Sequence, residues 1–365
     1  MKFTINKSEL LNALTIAAKG TSSRSTLPVL SGVYIKAEGT GLVMQTTDLE
    51  RSIRYNTAAL IEEEGVTVIS EKLLQDIVKN LPEAAVEFTT GDGTIQVSCD
   101  NSSYTLKTLN AEDFPPFPDV KVASSITVPF EQFCNMVKRV AKVVSKDQSR
   151  GAITGVLIST DEDGLRMVAT DSYRLALNDL PLEGVEENFT AIVSGAFLQE
   201  VASLPKMDES ITIGLTENQI VFSYQNMVLV NRRIEGNFPN YKGILPDSYT
   251  TKTCFTTSEL ITAIKRVSVV SVPGRPVKID INAAAGNAIV SATTQDVGSA
   301  EEVVACEVAG ESIQIGMNCQ YVLEGLMSVP TDQVFLETND SMKPGIFRSA
   351  EGEKYAYLIM PMHLQ

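Results

Sequence analysis

The sequence predicts an α+β protein made of three tandem copies of one domain, each with two helices packed on antiparallel sheets. The first observation is a repeated segment, in which a short strand pattern and then a helical pattern surround Glu9, Gln132 and Glu259. These positions lie 123 and 127 residues apart, and one third of the 365-residue chain is close to that interval. A repeat of this length is domain-sized and too long for a solenoid unit. We therefore expect domains over residues 1–122, 123–248 and 249–365.

The second observation is that a turn pattern recurs at the same interval. Residues 47–51 begin Thr-Asp and end in Arg, and residues 170–174 do the same 123 residues later. A weaker version, with Thr293 and Asp296, stands in the third copy. One aspartate per copy, just after a strand pattern, is typical of a structural turn.

The elements of each copy follow in a fixed order. A short strand leads into a helix, for which Ser8 and Ser258 are the predicted N-caps with a glutamate in the first turn. Alternating stretches separated by glycine-containing turns, as at residues 32–37 and 155–159, predict antiparallel hairpins. Two further strands close each copy, which gives an α+β order. The second helices are predicted over residues 71–80, 196–204 and 318–329, ended by Pro82, Pro205 and Pro330.

Composition restricts the classes of function. The formal net charge of -15 should repel DNA and acidic membranes, so any nucleic-acid contact must come from segregated positive charge. The first residues show no signal peptide, and no run of 18 apolar residues predicts a membrane span. The five cysteines form no CxxC pair and are expected to be reduced. We expect a cytoplasmic protein.

The predicted helices invert the acidic bias of the chain. Six helical segments carry ten Lys and Arg against seven Asp and Glu, whereas the whole chain has 30 and 45. In residues 131–146, Lys138, Lys142 and Lys146 recur at a spacing of four, opposite an apolar stripe. Lys265 and Arg266 stand at the corresponding positions of the third copy. An ordinary solvated face would explain one such helix, but recurrence favours a binding face.

The residues needed for catalysis are missing from the sequence. There is a single histidine, His363, so no Ser-His-Asp, Cys-His or His/Cys metal pattern can be assembled. No Gly-rich phosphate-binding motif is complete. Asp48, Asp171 and Asp296 are the best acidic candidates, and a repeated structural turn explains them better. We therefore expect a non-enzyme without cofactor or metal.

A family resemblance rests on seven segments spread over the chain. They are residues 1–4 (Met-Lys-Phe-Thr), 23–28 (Ser-Arg-Ser-Thr-Leu-Pro), 47–50 (Thr-Asp-Leu-Glu), 111–115 (Ala-Glu-Asp-Phe-Pro), 168–175 (Val-Ala-Thr-Asp-Ser-Tyr-Arg-Leu), 237–241 (Asn-Phe-Pro-Asn-Tyr) and 360–364 (Met-Pro-Met-His-Leu). Together they resemble the bacterial DNA sliding clamp family, the β subunits of replicative DNA polymerase III. The resemblance implies DNA-clamp domains in a head-to-tail homodimeric ring that encircles duplex DNA. Such a ring is a processivity factor, a non-catalytic accessory subunit of a DNA-directed DNA polymerase.

The resemblance also implies a pocket that takes short peptides of the polymerase III alpha subunit, the clamp loader delta subunit, other polymerases and repair proteins. Its apolar character suits adaptable recognition. The matching positions are Ile153, Thr170, Ser172, Tyr173, Arg174, Leu175, Pro239, Gly243, Ile244, Pro344, Ile346, Leu358, Met360, Pro361 and Met362. Ser172, Tyr173 and Gly243 depart from the residues common in the family.

Two further sets of residues carry over from the resemblance. The implied DNA contacts, independent of base sequence, are Arg24, Lys72, Lys79, Lys138, Arg139, Lys142, Lys146, Arg150, Lys265, Arg266 and Arg275. The implied dimer interface sets Tyr104 and Leu106 of the first copy against Val269 and Val270, placed on the first helix of the third copy.

The repeat also allows two other classes of function. A non-catalytic repeat scaffold would bind peptides without encircling DNA. An enzyme with a cleft between repeated domains would need a catalytic cluster, and the sequence offers none.

Overall fold

A computed structural model describes residues 1–22, 26–183, 185, 188–272, 274–352 and 354–364. The α-helices found there are α1 (Lys7–Ala17), α2 (Glu71–Asn80), α3 (Phe130–Val140), α4 (Gly195–Ala202), α5 (Thr257–Val267) and α6 (Cys319–Leu326). The strands of the first copy are β1 (Lys2–Asn6), β2 (Gly32–Glu38), β3 (Gly41–Thr47), β4 (Arg51–Ala58), β5 (Leu60–Glu63), β6 (Gly65–Ser70), β7 (Ala85–Thr90), β8 (Thr94–Cys99) and β9 (Ser102–Lys107).

The second and third copies repeat this order of elements, except that the described part of the second copy has no counterpart of β5. The second copy has β10 (Ser124–Pro129), β11 (Gly155–Asp161), β12 (Gly164–Thr170), β13 (Arg174–Pro181), β14 (Thr190–Ser194), β15 (Ser210–Leu215), β16 (Gln219–Tyr224) and β17 (Met227–Arg232). The third has β18 (Thr251–Thr256), β19 (Pro276–Asn282), β20 (Asn287–Thr294), β21 (Gly298–Ala305), β22 (Glu307–Ala309), β23 (Ile313–Asn318), β24 (Gln333–Thr338), β25 (Gly345–Ser349) and β26 (Lys354–Ile359). The predicted α+β fold of three tandem copies is confirmed.

The chain forms two compact units that both contain parts of the second copy. One unit comprises Met1–Glu131 and Ser203–Arg233, and the other comprises Gln132–Ala202 and Ile234–Gln365. The first unit holds a five-stranded sheet, β5-β1-β7-β8-β9, and an eight-stranded sheet, β10-β15-β16-β17-β4-β3-β2-β6. The second unit holds a nine-stranded sheet, β14-β11-β12-β13-β26-β25-β24-β18-β22, and a four-stranded sheet, β21-β20-β19-β23.

Each large sheet is built by joining two copies through one antiparallel junction. In the eight-stranded sheet β17, the last strand of the second copy, pairs with β4 of the first, and Leu229 lies opposite Ile53. In the nine-stranded sheet β26, the last strand of the third copy, pairs with β13 of the second, and Leu358 lies opposite Leu175. Since β4 and β13 occupy the same place in their copies, the two junctions follow one rule.

Helix ends differ from the sequence-based expectation in two respects. Ser8 and Ser258 are not N-caps, because α1 and α5 begin directly at the end of the preceding strand, with Asn6 and Thr256 in the N-cap positions. The second helices lie where predicted, and α2 has the predicted bounds. The prolines at 82, 205 and 330 follow their helices by two to four residues, so they limit the helices without forming the last turn.

The prediction of one long basic helix over residues 131–146 is wrong. The α-helix ends at Val140 and a short 3₁₀ turn, Ala141–Val143, follows it. The apolar stripe is buried as expected from Phe133 to Val140. Because the helix stops, Lys138, Lys142 and Lys146 do not share one face, and Lys142 is half-buried.

The cores are apolar and close-packed. In the first unit the Phe3 and Phe88 rings stack with centroids 4.6 Å apart, and Phe130 stacks on Tyr224 at 4.3 Å. Stacked aromatic pairs of this kind stabilise a core beyond the area that they bury. Among the described residues, no helix is long and apolar enough to cross a membrane.

Candidate peptide-binding site

The turns at residues 47–51 and 170–174 have the same hydrogen bonds. In the first, Asp48 Oδ1 accepts from the backbone N–H of Arg51 at 2.8 Å, and Asp48 Oδ2 accepts from Arg51 Nε at 2.7 Å. In the second, Asp171 accepts from the N–H and Nε of Arg174 at 3.1 and 3.0 Å. Asp48 and Asp171 are thus the structural turn residues that the sequence predicts.

The threonine that opens each turn completes it. Thr47 Oγ1 donates to the carbonyl of Arg51 and Thr170 Oγ1 to that of Arg174, both at 2.7 Å. Both turns also force a residue into the left-handed region, Leu49 at φ 77° and Ser172 at φ 79°. That conformation costs a non-glycine residue about 1–2 kcal/mol, and the shared hydrogen bonds offset this cost.

The second turn is built into a larger polar cluster. The Arg174 guanidinium hydrogen-bonds the Tyr357 hydroxyl at 3.0 Å, forms an ion pair with Glu324, and lies 4.2 Å over the Tyr321 ring. We call Asp171, Arg174, Tyr321, Glu324 and Tyr357 the Arg174 cluster. It joins the turn before β13 to α6 and β26, and leaves Arg174 only 7% exposed.

The charges of the Arg174 cluster are mutually supported. Burial acts against the charge of Arg174, yet Tyr357, Glu324 and Asp171 together raise the pKa of Arg174. Burial also acts to raise the pKa of Glu324, but hydrogen bonds from Gln320 and Arg174 outweigh it, so that pKa is lowered. Both groups therefore stay ionised at neutral pH.

An apolar floor lies beside the Arg174 cluster. Leu175 on β13 is opposite Leu358 on β26, which is in turn opposite Ile346 on β25. These three buried side chains form a row across three adjacent strands, on one face of the nine-stranded sheet. The apolar floor is completed by the buried residues Leu157, Val168, Leu177, Ile192, Tyr241 and Ala356. The partly buried residues Ala152, Ile234, Phe238 and Leu245 pack against it.

Exposed apolar side chains border this floor. Tyr173 is 62% exposed, and Ile244 and Met360 are also exposed. Ile244 follows a short 3₁₀ helix, Tyr241–Gly243, whose Tyr241 is buried and meets Phe238 edge-on with ring centroids 6.4 Å apart. A buried apolar floor with a partly exposed apolar rim is the chemistry of a groove for apolar peptide anchors.

The C-terminal segment that contributes Met360 is fixed at two points. The N–H of Met360 donates to the carbonyl of Tyr173 at 2.9 Å, and the N–H of Met362 donates to the carbonyl of Gly316 at 2.8 Å. A Cβ on Gly316 would lie 2.7 Å from both the Met362 carbonyl oxygen and the Leu364 side chain. The tail, residues 360–364, therefore packs so closely on β23 that only glycine fits there.

The structure brings most of the predicted pocket residues around one floor. Leu175, Ile346 and Leu358 form the floor, while Thr170 and Arg174 are buried in the supporting turn. The others lie at the rim or in adjoining segments: Ile153, Ser172, Tyr173, Pro239, Gly243, Ile244, Pro344, Met360, Pro361 and Met362. Sequence reasoning missed Leu177 and Tyr241, although the period-two spacing of Leu177 from Leu175 could have indicated the first.

The predicted DNA contacts are mostly exposed, with exceptions. Lys142 donates to the carbonyl of Glu324 at 2.9 Å and to the Ser328 hydroxyl, and burial lowers its pKa against the opposing effect of Glu324. Arg139 donates to Asn178 at 3.1 Å. These two therefore hold the fold together and present little free charge. Arg24 lies outside the described residues, and the exposed set is Lys72, Lys79, Lys138, Lys146, Arg150, Lys265, Arg266 and Arg275.

The four predicted interface residues are placed less uniformly than expected. Tyr104 on β9 is 36% exposed, but Leu106 is 8% exposed and faces the core opposite Ile95. Val269 is 81% exposed and Val270 half-buried. Both valines lie in the 3₁₀ turn Ser268–Val270 after α5, so their predicted place on the helix itself is wrong.

Comparison with known proteins agrees with this architecture. Three models of the DNA polymerase III beta subunit match in order: the N-terminal domain over residues 1–118, the central domain over 127–240 and the C-terminal domain over 242–363. The beta sliding clamp of Streptomyces coelicolor is 31% identical over 377 residues, covering all of both chains. The chain belongs to the beta sliding clamp family.

Solved structures of beta sliding clamps agree closely with this fold. The DNA polymerase sliding clamp of Bacillus subtilis superposes with a TM-score of 0.95 at 27% identity. A sliding clamp of Pseudomonas aeruginosa bound to griselimycin does so with a TM-score of 0.94 at 27% identity, and all of each chain is covered in both comparisons. Beta sliding clamps are non-catalytic processivity factors of DNA replication, and this member is likewise not an enzyme.

Proposed function

We propose that the chain forms a head-to-tail homodimeric ring that encircles duplex DNA and tethers polymerases through the candidate peptide site. In this proposal the three clamp domains span residues 1–122, 123–248 and 249–365, and the protein works in the cytoplasm on the nucleoid. It is the processivity function of the family, carried out by the surfaces described above.

The observation that carries the ring is the rule for joining copies. Within the chain, the last strand of one copy pairs with the fourth strand of the copy before it. Thus β17 pairs with β4, and β26 pairs with β13. In the described part of the chain, β9 is the last strand of the first copy, and β21 is the counterpart of β4 and β13 in the third copy. Both are edge strands that lack the pairing this rule describes. They are the strands that the same rule would join, and a second copy of the chain is the simplest source of each partner.

Side chains near these edges support the same assembly. Tyr104 projects from β9, and Val303 on β21 and the nearby Val269 are exposed apolar residues. Apolar side chains on open strand edges usually mark an interface. Leu106 would support Tyr104 from the core rather than contact the partner.

Sedimentation tests this assembly. The wild-type chain should sediment as a dimer at micromolar concentration, and Val269→Asp should give monomers because it places a charge in an apolar contact. Met342→Asp is the matched control, since Met342 is also exposed but lies near neither edge strand. A monomeric wild type, or equal dissociation of both variants, would contradict the ring.

DNA would be held by topology more than by affinity. With a net charge of -15, simple binding to short linear duplex should be weak and fall steeply with salt. Protein loaded on closed circular DNA should persist at high salt and be released when the circle is cut. Loss from closed circles at the salt that removes it from linear DNA would contradict encirclement.

The peptide site would receive apolar anchors, Leu or Phe, from the polymerase III alpha subunit, the clamp loader delta subunit, and other polymerases and repair proteins. Deletion of residues 360–365 removes Met360 from the rim and should abolish binding of a labelled peptide with such anchors. Sedimentation should show the truncated protein still dimeric, because β9 and β21 are untouched. Unchanged peptide affinity would place the docking site elsewhere.

A further inference from the structure

A second groove lies along the C-terminal tail, beside residues 362–364. Lys278 on β19 lies opposite Gly316 on β23 and opposite Ser291 on β20, so these residues form a row across three strands. They face outward, because their neighbours Val277 and Ile279 are buried. The groove has a volume of about 380 Å³, and Met362 and Leu364 of the tail line its other wall.

The tail gives this groove a fixed wall. Leu364 occupies the space that a side chain on Gly316 would need, and the N–H of Met362 bonds the Gly316 carbonyl. The same tail contributes Met360 to the rim of the apolar floor. The groove and the rim of the apolar floor therefore meet the same tail two to four residues apart.

The charge of the groove is opposite to that of the chain. Lys278 and Arg275 line it, and none of the described residues that line it is acidic. Lys278 has only a distant ion pair with Asp280, at 3.8 Å, and the same Asp280 oxygen accepts a shorter bond of 2.6 Å from Gln314. In a chain with 45 acidic residues, a basic lining of this kind favours an anionic ligand.

We propose that this groove binds acidic residues that flank the apolar anchors of a partner peptide. The inference rests on the proposed peptide-binding function and extends it to the chemistry of the flanking residues. An extended peptide gains about 3.3–3.6 Å per residue, so two to four residues beyond the anchors can follow the tail from the rim to the groove. Met362 and Leu364 supply apolar contact for the stems of these residues, while Lys278 supplies the charge.

The experiment compares two labelled peptides by fluorescence anisotropy. Both contain the same five-residue core with Leu and Phe anchors, and one carries three aspartates where the other carries three serines, with versions extended at either end. The aspartate peptide should bind the wild-type protein about fivefold more tightly at low salt in one of the two versions, and the gain should shrink with salt. Lys278→Glu should remove this gain and leave the affinity of the serine peptide unchanged.

Lys121→Glu is the matched control, because it makes the same change of net charge at an exposed lysine that does not line the groove. It should keep the gain. Equal affinity of the two peptides for the wild type, or a gain that survives Lys278→Glu, would contradict binding of acidic residues in the groove. Either result would leave the proposed peptide binding at the apolar floor unaffected. If no peptide binds the wild type, the proposed peptide function itself fails and the groove proposal falls with it.

Discussion

The turns at residues 47–51 and 170–174 share one backbone design and differ in what surrounds them. In both, an aspartate holds the arginine that follows three residues later, and a threonine closes the turn. Arg51 remains 27% exposed, whereas Arg174 is 7% exposed and reaches Glu324, Tyr321 and Tyr357. The repeated sequence thus specifies a turn, and contacts with the following copy place the second turn at the proposed peptide site.

The residues that follow each aspartate also differ between the two turns. The first turn continues Leu49-Glu50 and leads to Ser52, while the second continues Ser172-Tyr173 and leads to Leu175. Leu175 belongs to the apolar floor, and Ser52 is a buried polar residue bonded to Thr47 at 2.9 Å. A duplicated turn can therefore join the proposed peptide site through two or three side chains without changing its hydrogen bonds.

The largest expected difference between the turns concerns their arginines. Arg174→Ala leaves Glu324 charged and partly buried and removes the partner of Tyr357, so we expect a loss of about 3 kcal/mol or more. Arg51→Ala removes a partly exposed ion pair and should cost about 1 kcal/mol or less. Thermal unfolding of the two variants measures both. Equal losses would mean that the Arg174 cluster adds nothing to the shared turn.

The aspartates should instead behave alike. Asp48→Ala and Asp171→Ala each remove the acceptor of three hydrogen bonds, so each should lose about 2 kcal/mol. Thermal unfolding again provides the measurement, with exposed Asp92→Ala as a control that should change little. A large loss at one turn alone would contradict a common structural role.

Two glutamates with shifted pKa values, Glu71 and Glu324, should respond to pH in opposite directions. Glu71, at the start of α2, has a carboxylate oxygen without a hydrogen-bond partner among the described residues, and burial raises its pKa to about 6. A raised pKa means that the folded state favours the protonated form, so this site loses stability as pH rises through about 6. The lowered pKa of Glu324 means the reverse, because its contribution is lost as pH falls below the usual glutamate range.

Glu71→Gln should therefore stabilise the protein by about 1–2 kcal/mol at pH 7.5 and have little effect at pH 5. Melting temperatures at the two pH values measure this, and Glu9→Gln is the control because Glu9 is an exposed first-turn glutamate of α1. A stabilisation that is the same at both pH values would show that the charge of Glu71 is not its cause.

The smallest effect should come from exchanging rim residues between turns. Tyr173→Glu gives the second turn the residue of the first at that position, and should weaken binding of a peptide with Leu and Phe anchors about tenfold. The melting temperature should stay within about 1–2 °C, because Tyr173 is exposed. An unchanged affinity would remove Tyr173 from the site.

Features with a local cause could be predicted from the sequence, and features with distant partners could not. The repeat, the element order and the turn aspartates follow from patterns of a few residues. Lys142 follows the spacing of an exposed helical lysine, but its partners Glu324 and Ser328 come 182 and 186 residues later. Leu106 shares the strand face of Tyr104, but packing across β8 buries it. Nothing in the local pattern indicates such long-range contacts.

The joining rule between copies also determines where the proposed ring can be opened. The junctions β17–β4 and β26–β13 lie within one covalent chain, and the connecting segments would keep their strands close even if the pairing broke. The proposed β9–β21 pairing has no such tether. Loading onto a closed DNA circle would therefore proceed by separating a β9–β21 interface, which occurs twice in the proposed dimer. Covalent cross-links across both of these interfaces would leave the ring intact but unable to admit DNA.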